Sequence, residues 1–417
     1  MKSKSSAAWV AWFLAALFYF YQYALRSAPA VMMPELSASL GLSTIGMASL
    51  VGLFYYGYSP FALVSGAAID RLGARAVVPA GALMTAVGAL LFATGSLTAA
   101  NVGRFLQGAG GVFSFVGAAY IIGKHFPDSR AATLIGATQM LGMAGGSAGQ
   151  FLVGPLIIWG IAWDRLWIGM GIIGLLLAVA LFVILPKQEA PVERGPWVKN
   201  SARALAVVAR NPLSIISGLI AGLLFIPTNI LAMIWGVRFL QEAHGFAYGE
   251  AVLRSSMVPL GWIIGCPLLG LISDRLGRRK PVIIGGAAVL FACLAWILYG
   301  PADVLPPYVL GLLAGVASGS AMIPYTIIKE AHPPELNGTA TGLMNFICFT
   351  FSALFGPVFG WIMESVSGGG SGLEHYQMTF QPLLYGVALA IGLTFFLKET
   401  GPATRVRVEN LETVETV

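Results

Sequence analysis

The sequence predicts an all-α membrane protein with twelve transmembrane helices in two pseudo-symmetric six-helix bundles. Of its 417 residues, 57% are hydrophobic and 10% are charged, and the mean hydropathy is +0.80. A soluble chain that folds around one core does not reach such values. The prediction also rests on twelve long apolar stretches and on one polar motif that occurs twice.

Each apolar stretch is long enough to cross the hydrocarbon layer, because about 20 helical residues span about 30 Å. The 52 glycines fit helices that pack closely in a membrane. The first stretch keeps an arginine and a proline, so we expect it to remain in the protein as helix 1 rather than to be cleaved. The predicted helices cover residues 8–33, 44–66, 77–97, 102–123, 132–158, 166–185, 213–236, 252–272, 281–299, 307–328, 339–363 and 380–397.

One polar segment, residues 186–211, separates the first six helices from the last six and contains five basic residues. Within it, Val198 to Ala209 is expected to form a short helix on the membrane surface. The predicted organisation is an N-terminal six-helix bundle (1–186), a cytoplasmic linker (187–211), a C-terminal six-helix bundle (212–398) and a cytoplasmic tail (399–417).

Basic residues concentrate in alternate connections between the predicted helices. If both termini lie on one side of the membrane, that side holds 19 of the 24 lysines and arginines. Such residues favour the cytoplasmic side, so we expect a multi-pass protein of the cell inner membrane with both termini in the cytoplasm. The net charge of +6 then reflects membrane topology and does not indicate nucleic acid as a partner.

A polar motif occurs once in each predicted half. The run Gly66-Ala-Ala-Ile-Asp70-Arg71-Leu-Gly73-Ala-Arg75 follows helix 2, and Gly270-Leu-Ile-Ser-Asp274-Arg275-Leu-Gly277-Arg278-Arg279 follows helix 8. The two aspartates are 204 residues apart. A duplicated six-helix unit explains this repeat.

The G-x-x-x-D-R-x-G-x-R pattern at both places resembles the signature loop of the major facilitator superfamily. Arg104-Phe-Leu-Gln107-Gly108-Ala-Gly110 at the start of helix 4 and Asn337-Gly338-Thr339-Ala340-Thr341-Gly342 entering helix 11 are also similar to the family. The resemblance covers about residues 8–398. It implies the major facilitator fold and secondary transport, in which two halves rock about a midplane site.

The signature loops are candidate gating elements. A carboxylate there can accept hydrogen bonds from N–H groups at a neighbouring helix start and pair with a cytoplasmic arginine. In the resembled family this loop stabilises the outward-facing state, whereas the simpler interpretation is a tight turn with anchoring charges. The gating candidates are Asp70, Arg71, Arg75, Asp274, Arg275 and Arg104. Arg104 lies near the expected outer boundary, where its side chain could instead extend towards the interface.

Arg26 lies inside helix 1, far from either expected end of that helix. An arginine stays charged at every accessible pH, and its burial in hydrocarbon costs about 3 kcal/mol even on the lowest scales. Tyr19, Gln22, Tyr23 and Arg26 differ by three, four or seven positions and therefore share one helix face, which must point inward. We interpret Arg26 as the binding group for an anionic ligand; the alternative is a structural ion pair or a helix cap.

The run from Arg26 to Pro34 resembles the first helix of the organophosphate and organic-anion branch of the superfamily, also called the anion:cation symporter branch. An arginine at that place binds the anionic group of the substrate, and the resemblance transfers this role to Arg26. Phosphate-exchanging members carry a second arginine in helix 7, but the repeat equivalent here is Ile230. One central charge favours a monocarboxylate or an amino acid. The run from Tyr21 to Arg26 also resembles phagosomal amino-acid transporters.

Other polar residues on the predicted helices can complete a cavity. Amides and phenols orient a small ligand without adding charge, although a hydrogen bond between helices is the commoner role. The candidates beyond helix 1 are Gln139 on helix 5, Asn229 on helix 7, Tyr325 on helix 10 and Asn345 on helix 11.

The energy source is less evident. Proton coupling needs a carboxylate or histidine that responds to substrate, and Glu35, Glu330 and Glu364 fall near helix ends while the four histidines, including His375, are placed in loops. Proton symport, exchange and facilitated diffusion all stay open. Phosphate-binding glycine loops, zinc-ligand spacings and a paired nucleophile and base are absent from the sequence, so we expect no cofactor, no metal and no enzyme activity.

The leading hypothesis is a monomeric secondary transporter for a small organic anion or zwitterion, with protons as a further partner and the lipid bilayer as its surroundings. Multidrug or siderophore efflux is an alternative. Drug antiporters of the family usually have a Gly-Pro motif in helix 5, whereas this helix reads Gly142-Met-Ala-Gly145-Gly146-Ser-Ala-Gly149-Gln150. A nutrient sensor that does not transport is a third hypothesis, although such proteins often carry long cytoplasmic extensions.

Overall fold

The computed structural model describes residues 6–186, 197–301, 308–333, 336–366 and 372–401, with the side chains of these residues except at 70, 71, 128–133, 197–200 and 366. Most of the predicted tail and residues 187–196 of the predicted linker lie outside the described part. Within that part the chain is helical and contains no strand.

Twelve helices are long and apolar enough to cross a membrane, which confirms the predicted number. We label them α1 to α12 in chain order. Their bounds are Ser6–Val31, Thr44–Ile69, Ala74–Phe92, Leu97–His125, Leu134–Ile158, Trp163–Ile184, Pro212–His244, Tyr248–Leu276, Lys280–Tyr299, Val309–Glu330, Asn337–Ser365 and Leu373–Phe396.

Several helix boundaries differ clearly from the prediction. The largest shift is at the end of α7, which continues to His244 rather than to residue 236, so the placement of His244 in a loop was wrong. The turn at Gly95, with φ +72°, ends the preceding helix earlier than expected, so α4 begins at Leu97. Helix α12 begins at Leu373, seven residues before the predicted start. His375 therefore lies in the first turn of α12 and is buried, and its placement in a loop was wrong. The hydroxyl of Thr379 donates to the His375 carbonyl one turn later.

Helices α1 and α7 are irregular at equivalent places in the repeat. In α1 the α-helix ends at Ser27 and continues as a 3-10 turn over Ala28–Val31, as the proline at its second position favours. In α7 the segment Pro227–Trp235 is a π-helix. Shifted by the 204-residue repeat, the 3-10 turn falls on residues 232–235, inside that π-helix, and the two segments pack against each other. Both segments leave backbone carbonyls outside the regular α-helical pattern.

The predicted surface segment forms a helix over Trp197–Arg210, which we call the linker helix. Its residue Val208 is fully buried in a small apolar cluster with Ala221, Ile328 and Met344, from α7, α10 and α11. The linker helix is therefore attached to the ends of three helices that follow it in the chain.

Glycines bring α2 and α4 into close contact. A Cβ atom on Gly108 would overlap the carbonyl oxygen of Phe54, and one on Gly57 would overlap the carbonyl oxygen of Phe105. In a membrane, where lipid tails are as apolar as leucine, such close packing is a main source of helix association. This contact positions the aromatic residues of α2 described below.

Replacing Gly108 by alanine should lower the free energy of unfolding by about 1–3 kcal/mol, because the added methyl group meets backbone that cannot yield. Gly123→Ala on the same helix is the matched control, since a Cβ there meets open space. Thermal melting of both purified variants in detergent tests this, and equal melting temperatures would contradict the close contact.

Candidate functional site

The guanidinium of Arg26 is buried, with 1% of the residue exposed, in the middle of the helix bundle. Its Nη2 atom donates one long hydrogen bond of 3.4 Å to Oε1 of Gln22, whereas Nε and Nη1 have no partner. Among the described side chains no carboxylate forms an ion pair with it. Buried donors without partners are costly, so Nε and Nη1 of Arg26 would be stabilised by an acceptor, and the ligand-binding role of Arg26 stays a prediction.

Aromatic rings surround this guanidinium. Its Cζ atom lies 4.0 Å from the ring centre of Tyr23 and 4.9 Å from those of Phe54 and Phe349. The rings of Tyr55 and Tyr58 lie at 5.6 and 5.4 Å. The negative ring faces stabilise a cation without neutralising it. We call these five residues the aromatic box.

The predicted polar stripe of α1 faces α5. The hydroxyl of Tyr19 donates to Oε1 of Gln139 at 3.1 Å and lies 3.4 Å from the hydroxyl of Tyr23. The amide of Gln139 in turn approaches the sulfur of Met322 on α10 at 3.8 Å. Tyr19, Tyr23 and Gln139 therefore form one cluster that is continuous with Arg26 and that reaches the C-terminal bundle.

The three candidates on the last six helices belong to two hydrogen-bonded pairs of side chains. The hydroxyl of Tyr325 donates to Oδ1 of Asn345 at 2.8 Å, and Asn345 lies one turn before the box residue Phe349 on α11. Asn229, on the π-helix, donates to the hydroxyl of Ser352 at 2.8 Å, while its Oδ1 is buried without a partner. Tyr325 and Asn345 therefore adjoin the Arg26 site. The contacts of Asn229 do not link it to Arg26.

Arg104 is fully buried and does not extend to an interface. Its Nη1 atom donates to the carbonyl of Leu25 at 3.2 Å and to Gln107 at 2.8 Å, and its Nη2 atom donates to the carbonyl of Val51 at 3.2 Å. These bonds tie α4 to α1 and α2 within one bundle. The geometry supports a structural role for Arg104, and its gating role stays a prediction.

The first signature loop is anchored inside its own bundle. Nη1 of Arg75 donates to the carbonyl of Leu185, just after α6, at 3.0 Å, and its guanidinium lies 5.4 Å from the ring of Phe182. The side chains of Asp70 and Arg71 lie outside the described part of the chain. Their predicted gating contacts therefore stay predictions.

The second signature loop is the centre of an ionic network around Arg279. Its guanidinium pairs with Asp274 at 2.5 Å and with Glu330, at the end of α10, at 2.7 Å. The backbone N–H of Arg279 donates to Glu399, just after α12, at 2.6 Å. Arg275, which is the gating candidate among the arginines of this loop, is exposed, and its gating role stays a prediction.

Sequence reasoning named Tyr23 but missed Arg279, Glu399 and the other four residues of the aromatic box as members of these sites. The repeat contained a signal for Arg279, because it occupies the position of Arg75 in the second copy of the motif. The box residues Phe54, Tyr58 and Phe349 are ordinary apolar-helix residues by type, and only the packing of α2 and α11 against α1 reveals them.

At the end of the bundle opposite the signature loops, three side chains join the two halves. The hydroxyl of Tyr248 donates to the carbonyl of Val31, Nε2 of Gln150 donates to the carbonyl of Ala232 at 2.8 Å, and the hydroxyl of Ser147 donates to the backbone carbonyl of Ser256 at 3.0 Å. The first two acceptors lie in the irregular segments of α1 and α7. The broken helices thus supply the acceptors that hold this end together.

The sequence profile of the Major Facilitator Superfamily matches residues 13–357. The chain is 22% identical to the probable galactarate/D-glucarate transporter GudP of Bacillus subtilis (strain 168), over 98% of this chain and 95% of that protein. It is 26% identical to an MFS-type efflux pump of Mycolicibacterium smegmatis (strain ATCC 700084 / mc(2)155), over 86% and 84%. It is 25% identical to the cis,cis-muconate transport protein of Acinetobacter baylyi (strain ATCC 33305 / BD413 / ADP1), over 93% and 95%.

A solved structure with the same fold is a bacterial homologue of the human lysosomal transporter Spinster, in an inward-facing and unoccupied conformation. It superposes with a TM-score of 0.71 at 15% identity and covers 94% of this chain and 97% of that one. At this identity the similarity concerns the fold alone.

Replacement of Arg279 and replacement of Arg275, both in the second signature loop, should destabilise the protein to different extents. Arg279→Gln should lower the free energy of unfolding by about 1–3 kcal/mol, because charge-assisted hydrogen bonds to Asp274 and Glu330 are lost. Arg275→Gln should change it by less than about 0.5 kcal/mol, since that side chain is exposed. Thermal melting compares the two variants, and equal destabilisation would contradict the assignment of Arg279 as the centre of the network.

Proposed function

The chain belongs to the major facilitator superfamily, and from that premise we propose that it moves a small organic anion or zwitterion by alternating access. Members of the family are transporters, so the protein is a multi-pass membrane transporter and not an enzyme. The finer proposal is a substrate of the monocarboxylate or amino-acid class, bound at Arg26 and carried across the cell inner membrane, with both termini in the cytoplasm.

The observation that carries the proposal is the buried guanidinium of Arg26, two of whose three nitrogens have no partner. A carboxylate matches the shape and charge of a guanidinium better than any neutral group does. Relatives along nearly the whole chain are named for galactarate or D-glucarate and for cis,cis-muconate, all of which are organic anions. Binding of an organic anion is the simplest explanation for a buried positive charge at Arg26.

The geometry favours one anionic group on the substrate. Arg104 is the other buried arginine near the site, but its contacts with Leu25, Val51 and Gln107 leave it little capacity for a ligand. On α7 the repeat equivalent of Arg26 is Ile230, which is fully buried. A phosphate ester that needs two cationic groups fits this site less well than a monocarboxylate.

We propose that residues 1–186 and 212–398 are the two bodies that rock about this site. Arg26 and four of the ring residues belong to the first body, and Phe349, Tyr325 and Asn345 belong to the second. A ligand that touches Arg26 and Phe349 would contact both bodies. The bonds of Tyr248 and Gln150 to the other half would have to break when that end opens.

Efflux is a second candidate, favoured by the relative named as an efflux pump. Helix α5 contains Gly154-Pro155 near its end, so the expectation that this helix carries no Gly-Pro pair was wrong, and the pair adds support to efflux as the second candidate. Another such pair, Gly356-Pro357, lies in α11. Uptake measured in right-side-out and inside-out vesicles gives the direction of transport. A sensor without transport would bind ligand in the thermal test below and show no flux in either kind of vesicle.

Replacing Arg26 by glutamine should abolish stabilisation by substrate without destabilising the empty protein. The charge has no carboxylate partner among the described residues, so its loss removes an uncompensated buried group. Thermal melting of the purified protein with carboxylates, amino acids and phosphate esters identifies the ligand class. Arg104→Gln is the contrasting variant and should melt earlier even when empty, because two carbonyl contacts are lost. Ligand stabilisation that survives in Arg26→Gln would refute the proposed site.

Proton coupling is the remaining part of the proposal. Glu330 and Glu35 are two of the carboxylates that the sequence places near helix ends. Glu330 is paired with Arg279, and Glu35 is exposed. Uptake of substrate into proteoliposomes should rise when the outside is more acidic than the inside. Addition of a protonophore should lower it to the level at which the substrate concentrations inside and outside are equal. If Glu330 or Glu35 carries the coupled proton, its replacement by glutamine should abolish accumulation of the substrate against its gradient. The same variant should keep the exchange of substrate across the membrane. Accumulation that ignores the proton gradient would show that protons are not coupled.

A further inference from the structure

The ring residues of the aromatic box come from both bundles. Tyr23 belongs to α1, Phe54, Tyr55 and Tyr58 belong to α2, and Phe349 belongs to α11. The rings also contact one another, with centres 4.5 Å apart for Tyr58 and Phe349 and 5.9 Å apart for Phe54 and Tyr58. Any ligand that reaches the guanidinium edge must therefore lie against aromatic faces.

Tyr55 and Phe349 form two parallel walls, one from each bundle. Their rings are inclined by 13° and their centres are 6.1 Å apart. A flat ligand between two such rings needs about 7 Å between the ring planes, twice the optimal carbon–carbon contact distance. The distance of 6.1 Å between the ring centres is shorter than that, so α2 and α11 must separate by at least about 1 Å before a planar group can lie between the rings.

Hydrogen bonds beside these walls keep α2 and α11 in register. The hydroxyl of Ser59, one turn after Tyr55, donates to the carbonyl of Phe346 at 2.8 Å and lies 2.7 Å from the hydroxyl of Thr350. Both contacts lie next to Phe349 in the sequence of α11. The parallel arrangement of the two rings is thus fixed by neighbouring polar contacts and does not depend on the rings alone.

Few polar groups are free in this part of the site. On the described residues that contact Arg26, the buried atoms without a partner are Nε2 of Gln22 and the hydroxyl of Tyr55. On α4, beyond Phe54, Nε of Arg104 and Nε2 of Gln107 are also without a partner. The free atoms around Arg26 suit one carboxylate and one further acceptor. A polyhydroxylated chain would bury several hydroxyl groups that find no partner against the rings, and a site rejects such ligands strongly.

We propose that the site selects planar, conjugated carboxylates, of the benzoate type, over saturated or polyhydroxylated carboxylates of similar size. The carboxylate binds Arg26, and the flat carbon skeleton lies between the rings of Tyr55 and Phe349. This inference rests on the proposed function, because it requires Arg26 to bind an organic anion. It adds the shape of the substrate and makes Phe349 a specificity residue contributed by the second bundle.

The test compares three probes on the purified full-length protein by isothermal titration calorimetry: benzoate, cyclohexanecarboxylate and D-glucarate. The first two have the same charge and nearly the same size, and differ in planarity and conjugation. Benzoate should bind about two- to tenfold more tightly than cyclohexanecarboxylate, which is the range expected for an aromatic pair. D-Glucarate should bind most weakly.

Phe349→Leu should remove the preference for benzoate over cyclohexanecarboxylate. Phe351→Leu is the matched control, since Phe351 stacks on Phe355 at 5.8 Å on the same helix and should keep the preference. The comparison of probes on the unmodified protein needs no variant, so it decides the matter even if Phe349→Leu does not fold.

The outcomes separate this inference from the proposed function. Equal binding of benzoate and cyclohexanecarboxylate, both lost in Arg26→Gln, would overturn the preference for planar acids and leave the anion site intact. Tightest binding of D-glucarate would have the same meaning. Binding of no carboxylate, or carboxylate binding unaffected by Arg26→Gln, would overturn both.

Discussion

The unpaired guanidinium of Arg26 is the constraint on which the organisation of this transporter depends. A charge at the centre of a membrane must be enclosed by protein, and here the enclosure consists of aromatic rings rather than a carboxylate. Rings stabilise the cation and leave its hydrogen-bond donors free. An acidic partner would have neutralised the site and competed with an anionic ligand. The aromatic box therefore keeps the charge inside the bundle and available for binding.

The irregular segments of α1 and α7 provide backbone carbonyls that accept hydrogen bonds from side chains of other helices. In lipid every backbone polar group must find a partner within the protein, so a break in a helix is tolerated only where side chains can satisfy the carbonyls that it frees. The 3-10 turn of α1 and the π-helix of α7 meet this condition, because Tyr248, Gln150 and Ser255 donate to carbonyls in them. The bonds of Tyr248 and Gln150 join the two bundles, and each is a single contact that can be exchanged when the bundles move. The bond of Ser255 lies within the C-terminal bundle.

The two signature loops differ in their described contacts. Arg75 and Arg279 occupy the same position in the repeat, and among the residues whose side chains are described Arg75 donates to one carbonyl, whereas Arg279 pairs with Asp274 and Glu330. The repeat equivalent of Glu330 is Phe126, which cannot form an ion pair. Glu330 therefore connects the second loop to α10, and Glu399 connects it to the segment after α12.

The sequence by itself determined the number of helices, their order, the repeat and the inward-facing stripe with Arg26, because hydropathy and helical periodicity are local properties of a chain in a membrane. It could not determine which residues face Arg26 from other helices. Phe349 is 323 residues away from Arg26, and Phe54 and Tyr58 look like lipid-facing residues until α2 is packed. Asp274 could be recognised, but its pairing with Arg279 could not, because the choice among neighbouring arginines depends on the turn that buries Arg279 beside Glu330. Tertiary packing decided these contacts, since they depend on close helix approach at glycines such as Gly108 and on the mutual orientation of the two bundles.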